Sequence, residues 1–119
     1  MMAKRPAITN GSTYRIKTYP NKSYVTVNRH PETGEMIEVF INVGKAGSSV
    51  KSSCDSLCKQ ISRNLQSGTP AKTLAEDLRG TKNDEQPGHD PYWGEELIWS
   101  VEDAIARVML KDIELKEAK

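Results

Sequence analysis

Between residues 12 and 43 the chain carries three β-prone runs joined by two turn signals, and no other feature constrains its fold so tightly. Residues 12–19 (STYRIKTY) alternate Tyr14 and Ile16 with Arg15 and Lys17, the two-residue period of a half-buried strand. Pro20-Asn21-Lys22 is a turn, because proline presets φ and asparagine tolerates left-handed geometry. Residues 23–28 (SYVTVN) form a second strand, so the pair reads as a hairpin. A longer turn from Arg29 to Gly34 leads into residues 36–43 (MIEVFINV), which are apolar over most of their length. That predicts a central strand, or one covered on both faces. Strands linked this closely pair with their sequence neighbours, which makes an antiparallel meander.

The period then changes. Val50, Cys54, Leu57, Ile61 and Leu65 follow one another at spacings of four, three, four and four, one face of a helix. Ser48 or Ser49 is the expected N-cap and Gly68 the expected stop. Thr69 as N-cap and Pro70 in the first helical position open a shorter helix with Leu74 and Leu78 on its apolar edge, ended by Gly80. A loop follows over residues 81–94, long enough to be functional or mobile. Ser100 and Asp103 stand in near capping-box spacing at the head of a last helix, with Val101, Ile105, Val108 or Met109, Asp112 and Leu115 near one stripe. The fold class expected is α+β: a three-stranded antiparallel meander followed by helices at about 49–67, 70–79 and 100–115, packed on one face of the sheet. A single domain spans 11–115, after a flexible leader 1–10 and before a polar tail 116–119. Because the third strand carries apolar groups on both faces, self-association through the free face or edge is expected, giving a homo-oligomer.

Composition narrows the partners. A chain of 119 residues makes one small domain. Its 17 Lys and Arg nearly balance 16 Asp and Glu, a formal net charge of +1. No global field attracts DNA, RNA or an anionic membrane, and any basic site must be local. No apolar run approaches the roughly 20 residues of a membrane span. The first residues are basic without an apolar stretch behind them, so no secretory signal is read there. With Cys54 and Cys58 as the two cysteines, a reduced, cytoplasmic protein is expected.

Four local constellations could carry chemistry. Gly44-Lys45-Ala46-Gly47-Ser48-Ser49 joins a strand to a helix start, where outward amides and a lysine are the elements of an anion site. It lacks the P-loop order, and the same residues also serve as a plain tight connection. Cys54 and Cys58 lie one helical turn apart, but zinc needs more ligands and no histidine is near in sequence; as small buried hydrophobes they need no metal. His89-Asp90 invites an acid–base reading, yet no nucleophile motif accompanies it, and no catalytic residue is assigned. Tyr92, Trp93 and Trp99 either pin the long loop to the body or present an aromatic surface to a partner or a nucleobase. Arg15, Lys17, Lys22 and Arg29 interleave with Tyr14, Tyr19 and Tyr24 in the first hairpin, a pattern that can stack single-stranded nucleic acid, against which the near-neutral charge weighs.

The run GSTYRIKT, then SYVTVN, then GEMIEVFINVGKAGSSV resembles the TSCPD domain, the module at the C-terminal end of cobalamin-dependent (class II) ribonucleotide reductases that also occurs as small free-standing proteins. Tyr14 to Ser48 match the family pattern nearly throughout. Ile61-Ser62 and Leu65, then Gly68-Thr69-Pro70, are similar to its I-S-x-x-L-x-x-G-x-P stretch, and Leu78-Arg79-Gly80 to its L-x-G element. Ser100 to Ala106 resemble S-I-P-D-A-I-A, with Glu102 in place of the proline. The likeness covers roughly residues 10–110. One departure stands out: members often carry a cysteine after L-x-G, and here Thr81-Lys82-Asn83-Asp84-Glu85 has none. The resemblance implies a non-catalytic accessory module linked to nucleotide metabolism, without the reductase barrel and without a cofactor. It would dock on a reductase-like protein or on itself. The alternative is a small-ligand binder, a virus-encoded copy included, that captures a nucleotide or phosphate at Gly44, Lys45, Ala46, Gly47, Ser48 and Ser49 and stacks the base on Tyr92 or Trp93.

Overall fold

The computed structural model describes residues 5–18, 22–44, 47–84 and 86–117. Three strands, β1 (Asn10–Lys17), β2 (Lys22–Arg29) and β3 (Met36–Val43), form one antiparallel sheet in the order β1-β2-β3. After them come α1 (Ser48–Gln66), α2 (Ala71–Leu78), a single 3-10 turn at Pro91–Trp93, and α3 (Val101–Glu117). This is the α+β order that the hydrophobic pattern predicts, with the element ends displaced by no more than two residues. Tyr19, Pro20 and Asn21 of the first expected turn lie outside the described residues. Among the described residues no helix is long and apolar enough to cross a membrane.

Register decides what is buried. Tyr14 stands opposite Val25, Val25 opposite Ile41, and Val27 opposite Val39. Strand alternation therefore gathers Ile16, Val25, Val27 and Val39 on one face, and all four are fully buried. They join one core with Ile61 and Leu65 of α1 and Ile105, Val108 and Met109 of α3, while α2 packs on α3. The opposite face of the sheet, with Thr13, Arg15, Lys17, Tyr24, Phe40 and Asn42, is left half-exposed or exposed.

The apolar run of β3 does not make it central. In a meander of this order β2 is the middle strand and β3 an edge. Its first four residues are buried for two other reasons. A bulge pairs Asn28 with Glu38 but Arg29 with Met36, so Ile37 is an extra residue that breaks the two-residue alternation. In addition, α1 runs antiparallel along the outer edge of β3. The Val39 amide donates to Ser62 Oγ at 3.0 Å and Gln66 Nε2 donates to Ile37 O at 3.1 Å, with the Cys58 thiol beside the Ile41 main chain. Each would otherwise be an open edge position.

The helix starts differ from expectation in two of three cases. Gly47, not a serine, is the N-cap of α1, and it supplies no side-chain hydrogen bond. Pro70 rather than Thr69 is the N-cap of α2, again without a side-chain cap. Packing on β3 and α3 holds these helices in place of their caps. Ser100 does cap α3, its Oγ accepting from the Asp103 amide at 3.0 Å. Leu115, placed on the α3 stripe by periodicity, is 57% exposed.

Ser62→Ala leaves the buried Val39 amide without its acceptor. We expect it to lower unfolding free energy by about 1–3 kcal/mol, read as a reduced midpoint in urea at unchanged slope.

Candidate functional site

Two buried carboxylates on α3 organise everything around the loop. Asp103, fully buried, accepts from the Gly80 amide at 2.7 Å, the Trp99 amide at 2.9 Å and Arg107 Nε at 3.0 Å. Both ends of the 81–99 connection are thereby tied to one side chain. Asp112, also fully buried, accepts from the Tyr14 hydroxyl at 2.6 Å and from Arg29 Nε at 2.8 Å. Arg29 Nη1 donates in turn to Gly34 O and to Glu117. Arg29 Nη2 is buried without a partner among the described residues. Burial and the hydrogen bond to Asp112 push the Tyr14 hydroxyl well above the usual tyrosine range, so it stays a donor.

The long loop is clasped onto the edge of β1. Asp90 Oδ2 accepts from the Lys17 amide at 3.1 Å, and its Oδ1 accepts from the Tyr92 amide at 3.1 Å. Trp93 Nε1 donates to Arg15 O at 2.8 Å, and its ring is tilted against Tyr14 with centroids 6.1 Å apart. Gly88 makes the approach possible, since a Cβ there would lie 2.5 Å from Lys17 O. Trp93 thus does the pinning expected of the aromatic segment. Tyr92 does not: it is 79% exposed, edge-on to Trp93. The indole of Trp99 sits under Lys82 Nζ, 4.4 Å from its ring.

Clasping the loop creates an aromatic cavity of about 330 Å³, lined by Thr13, Tyr14, Arg15, Tyr24, Asp90, Tyr92 and Trp93. It brings the predicted Tyr92 and Trp93 together with Tyr14 and Tyr24 of the hairpin, four of the chain's seven aromatic residues (4 Tyr, 2 Trp and 1 Phe). His89 is exposed in the same loop, and Asp90 has both oxygens engaged by main-chain amides, the geometry of a structural clasp.

The glycine-rich turn lies elsewhere, at the far end of β3. The Gly44 amide donates to Lys22 O at 3.3 Å. Gly47 is extended, with φ −70°, and a Cβ on it would meet nothing within 4 Å. Neither glycine adopts a positive φ. Ser49 lines a cleft of about 360 Å³ with Val50, Cys54, Leu57, Asn83 and Glu102. Lys45, Ala46 and the side chain of Ser48 lie outside the described residues. The cleft of Ser49 and the cavity of Tyr92 and Trp93 share no residue, so the structure does not bring the two halves of the expected site into one cavity.

Both cysteines are free and buried. Burial, with Cys54 and Asp55 nearby, pushes the Cys58 thiol up to about 12, and burial raises Cys54 as well. Among the described residues no three His, Cys, Asp or Glu side chains cluster to hold a metal.

A three-stranded meander with one edge bound by a helix and the other clasped by an aromatic loop defines a small α+β module. The TSCPD domain model matches residues 1–113, essentially the whole chain, and the chain belongs to that family. It is a ribonucleotide-reductase-like module, as the resemblance implies. No curated protein and no solved structure matches the chain.

A thiol pKa raised in the folded state makes stability fall as pH climbs from the ordinary thiol range near 9 towards 12. At pH 8 the folded protein should resist alkylation by iodoacetamide and react at both cysteines in denaturant. Rapid native alkylation of Cys58 would contradict the placement.

Proposed function

We propose that the chain is a non-catalytic binding module that docks on a ribonucleotide-reductase-like protein, or on a second copy of itself, through the outer face of its sheet. One observation carries this reading. Tyr24 of the middle strand and Phe40 of β3, diagonal neighbours on that face, are 44% and 50% exposed. Exposed aromatic area on a polar-rimmed face marks an interaction surface. The engagement of Asp90, Asp103 and Asp112 by amides, Arg29, Arg107 and Tyr14 supports a structural rather than catalytic use of the carboxylates. The two buried free thiols support a reducing, cytoplasmic setting.

A second reading, capture of a nucleotide or phosphate at Gly44–Ser49, has its own support. The first-turn amides of α1 have no side-chain cap, and the first turn itself carries no acidic residue. Nothing steric requires glycine at position 47. A virus-encoded copy that sequesters such a ligand is the form this reading takes, with Lys45 as its cation.

Sedimentation at tens of micromolar, alone and with a class II reductase chain, tests the first reading. Association is expected, and Phe40→Asp should abolish it without lowering the melting temperature. A thermal-shift series with nucleotides and inorganic phosphate tests the second, since a ligand of the folded state raises the melting temperature. There, Gly47→Ala and Lys45→Ala should remove the shift while leaving the unliganded protein as stable as before. A monomer indifferent to the reductase, with a clear nucleotide shift, would replace the first reading by the second.

A further inference from the structure

The sheet has two edges, and the structure seals one of them along its length. On β3 the outward backbone groups of Ile37, Val39 and Ile41 meet side chains of α1. On β1 the outward positions are the odd-numbered ones, since Arg15 O and the Lys17 amide meet Trp93 and Asp90. In an antiparallel ladder a residue directs both its N–H and its C=O to the same side, and the side alternates. Gly11 and Thr13 therefore point outward too. The close Thr13–Thr26 pair, with Oγ1 atoms 2.8 Å apart, is of the non-hydrogen-bonded kind and agrees. Among the described residues nothing meets these four groups.

Two further features lie beside this open stretch. The first is the aromatic cavity, whose wall includes Thr13 itself. The second is charge. Arg15 and Lys17 are exposed and form no ion pair among the described residues. Lys116 Nζ rests on Ser12 Oγ at 2.9 Å, and among the described residues its only carboxylate is the buried Asp112, 3.6 Å away. Asp90, the carboxylate at the cavity, is already engaged by two amides.

We infer that the Gly11–Thr13 edge is a strand-addition site for an extended, acidic segment of a partner protein, whose aromatic or long apolar side chain seats among Tyr14, Tyr24, Tyr92 and Trp93. Main-chain hydrogen bonds to Gly11 and Thr13 supply affinity, and the cavity and the cations supply selection. A second copy of this chain fits the edge poorly. Two-fold pairing of the open Gly11–Thr13 stretch centres on Ser12 and brings both copies' Lys116 together at the axis, and like charges across a strand pair destabilise it. The inference rests on the docking reading and states the chemistry of the partner.

A displayed library of random heptapeptides, selected on the full chain, tests it without presuming a sequence. Enriched peptides are expected to combine Asp or Glu with an aromatic residue. They should lose roughly tenfold in affinity with Thr13→Pro, which removes an outward N–H that the β1–β2 ladder does not use. Tyr92→Ala, at a position 79% exposed, should weaken them as well and keeps the test open if the proline variant does not fold. Peptide addition should also shift the Gly11 and Thr13 amide resonances. No enrichment, enrichment of basic peptides, or binding unchanged by both variants overturns the inference. Should Phe40→Asp still abolish association in that event, docking on the outer face stands and the edge site alone falls.

Discussion

Three side chains of α1 line the edge of β3, two of them hydrogen-bonded to its backbone, and the layout of the molecule follows from that contact. Cys58, Ser62 and Gln66 are spaced four residues apart, which advances a helix by about 6 Å per step. Their partners Ile41, Val39 and Ile37 are two residues apart, which advances a strand by about 6.6 Å per step. The two repeats nearly coincide, so one row of helix side chains stays in register with one row of backbone groups. An exposed strand edge invites further pairing. Here α1 closes one edge with polar groups while its apolar stripe, through Ile61 and Leu65, enters the core beneath. Among the described residues the stretch of edge left without partners lies on β1.

The loop after α2 completes the arrangement at the other side. Asp103 ties Gly80 and Trp99, the two ends of the loop, to α3, and Asp90 and Trp93 tie its middle to β1. A buried carboxylate is costly unless its oxygens are satisfied by close donors, as these are. The clasp closes only the Arg15–Lys17 half of the edge and builds an aromatic wall beside the other half. The exposed Tyr24 of the outer face, the aromatic cavity and the open edge are consequently neighbours on one side of the molecule.

Much of this was legible in the chain. The strands alternate apolar and polar residues at the period of the pleat, and α1 and α3 carry apolar stripes at helical spacing, so the elements and their order follow from local pattern. The role of β3 did not. Its apolar density comes from a bulge at Ile37 and from a helix laid along its edge, both consequences of tertiary packing that a period-two reading assigns to a central strand. Ser62 and Gln66 read as solvent-facing positions of an amphipathic helix, and nothing in their own neighbourhood announces a backbone partner some twenty to thirty residues away. Tyr92 and Trp93 were visible as a pair, and Tyr14 and Tyr24 as interleaved strand aromatics. Their convergence depends on Gly88 letting the loop touch the backbone at Lys17, a contact between segments far apart in sequence. The glycine turn reads as an anion site or a plain tight connection, and at Gly47 the backbone is simply extended.

Site-resolved amide hydrogen exchange under native conditions tests the contrast between the two edges most directly. The account predicts that the Val39 amide exchanges only when the whole molecule opens, as slowly as the core of the sheet, while the Thr13 amide exchanges by local fluctuation, orders of magnitude faster. Fast exchange at Val39, or protection at Thr13 equal to that of Val39, would contradict it.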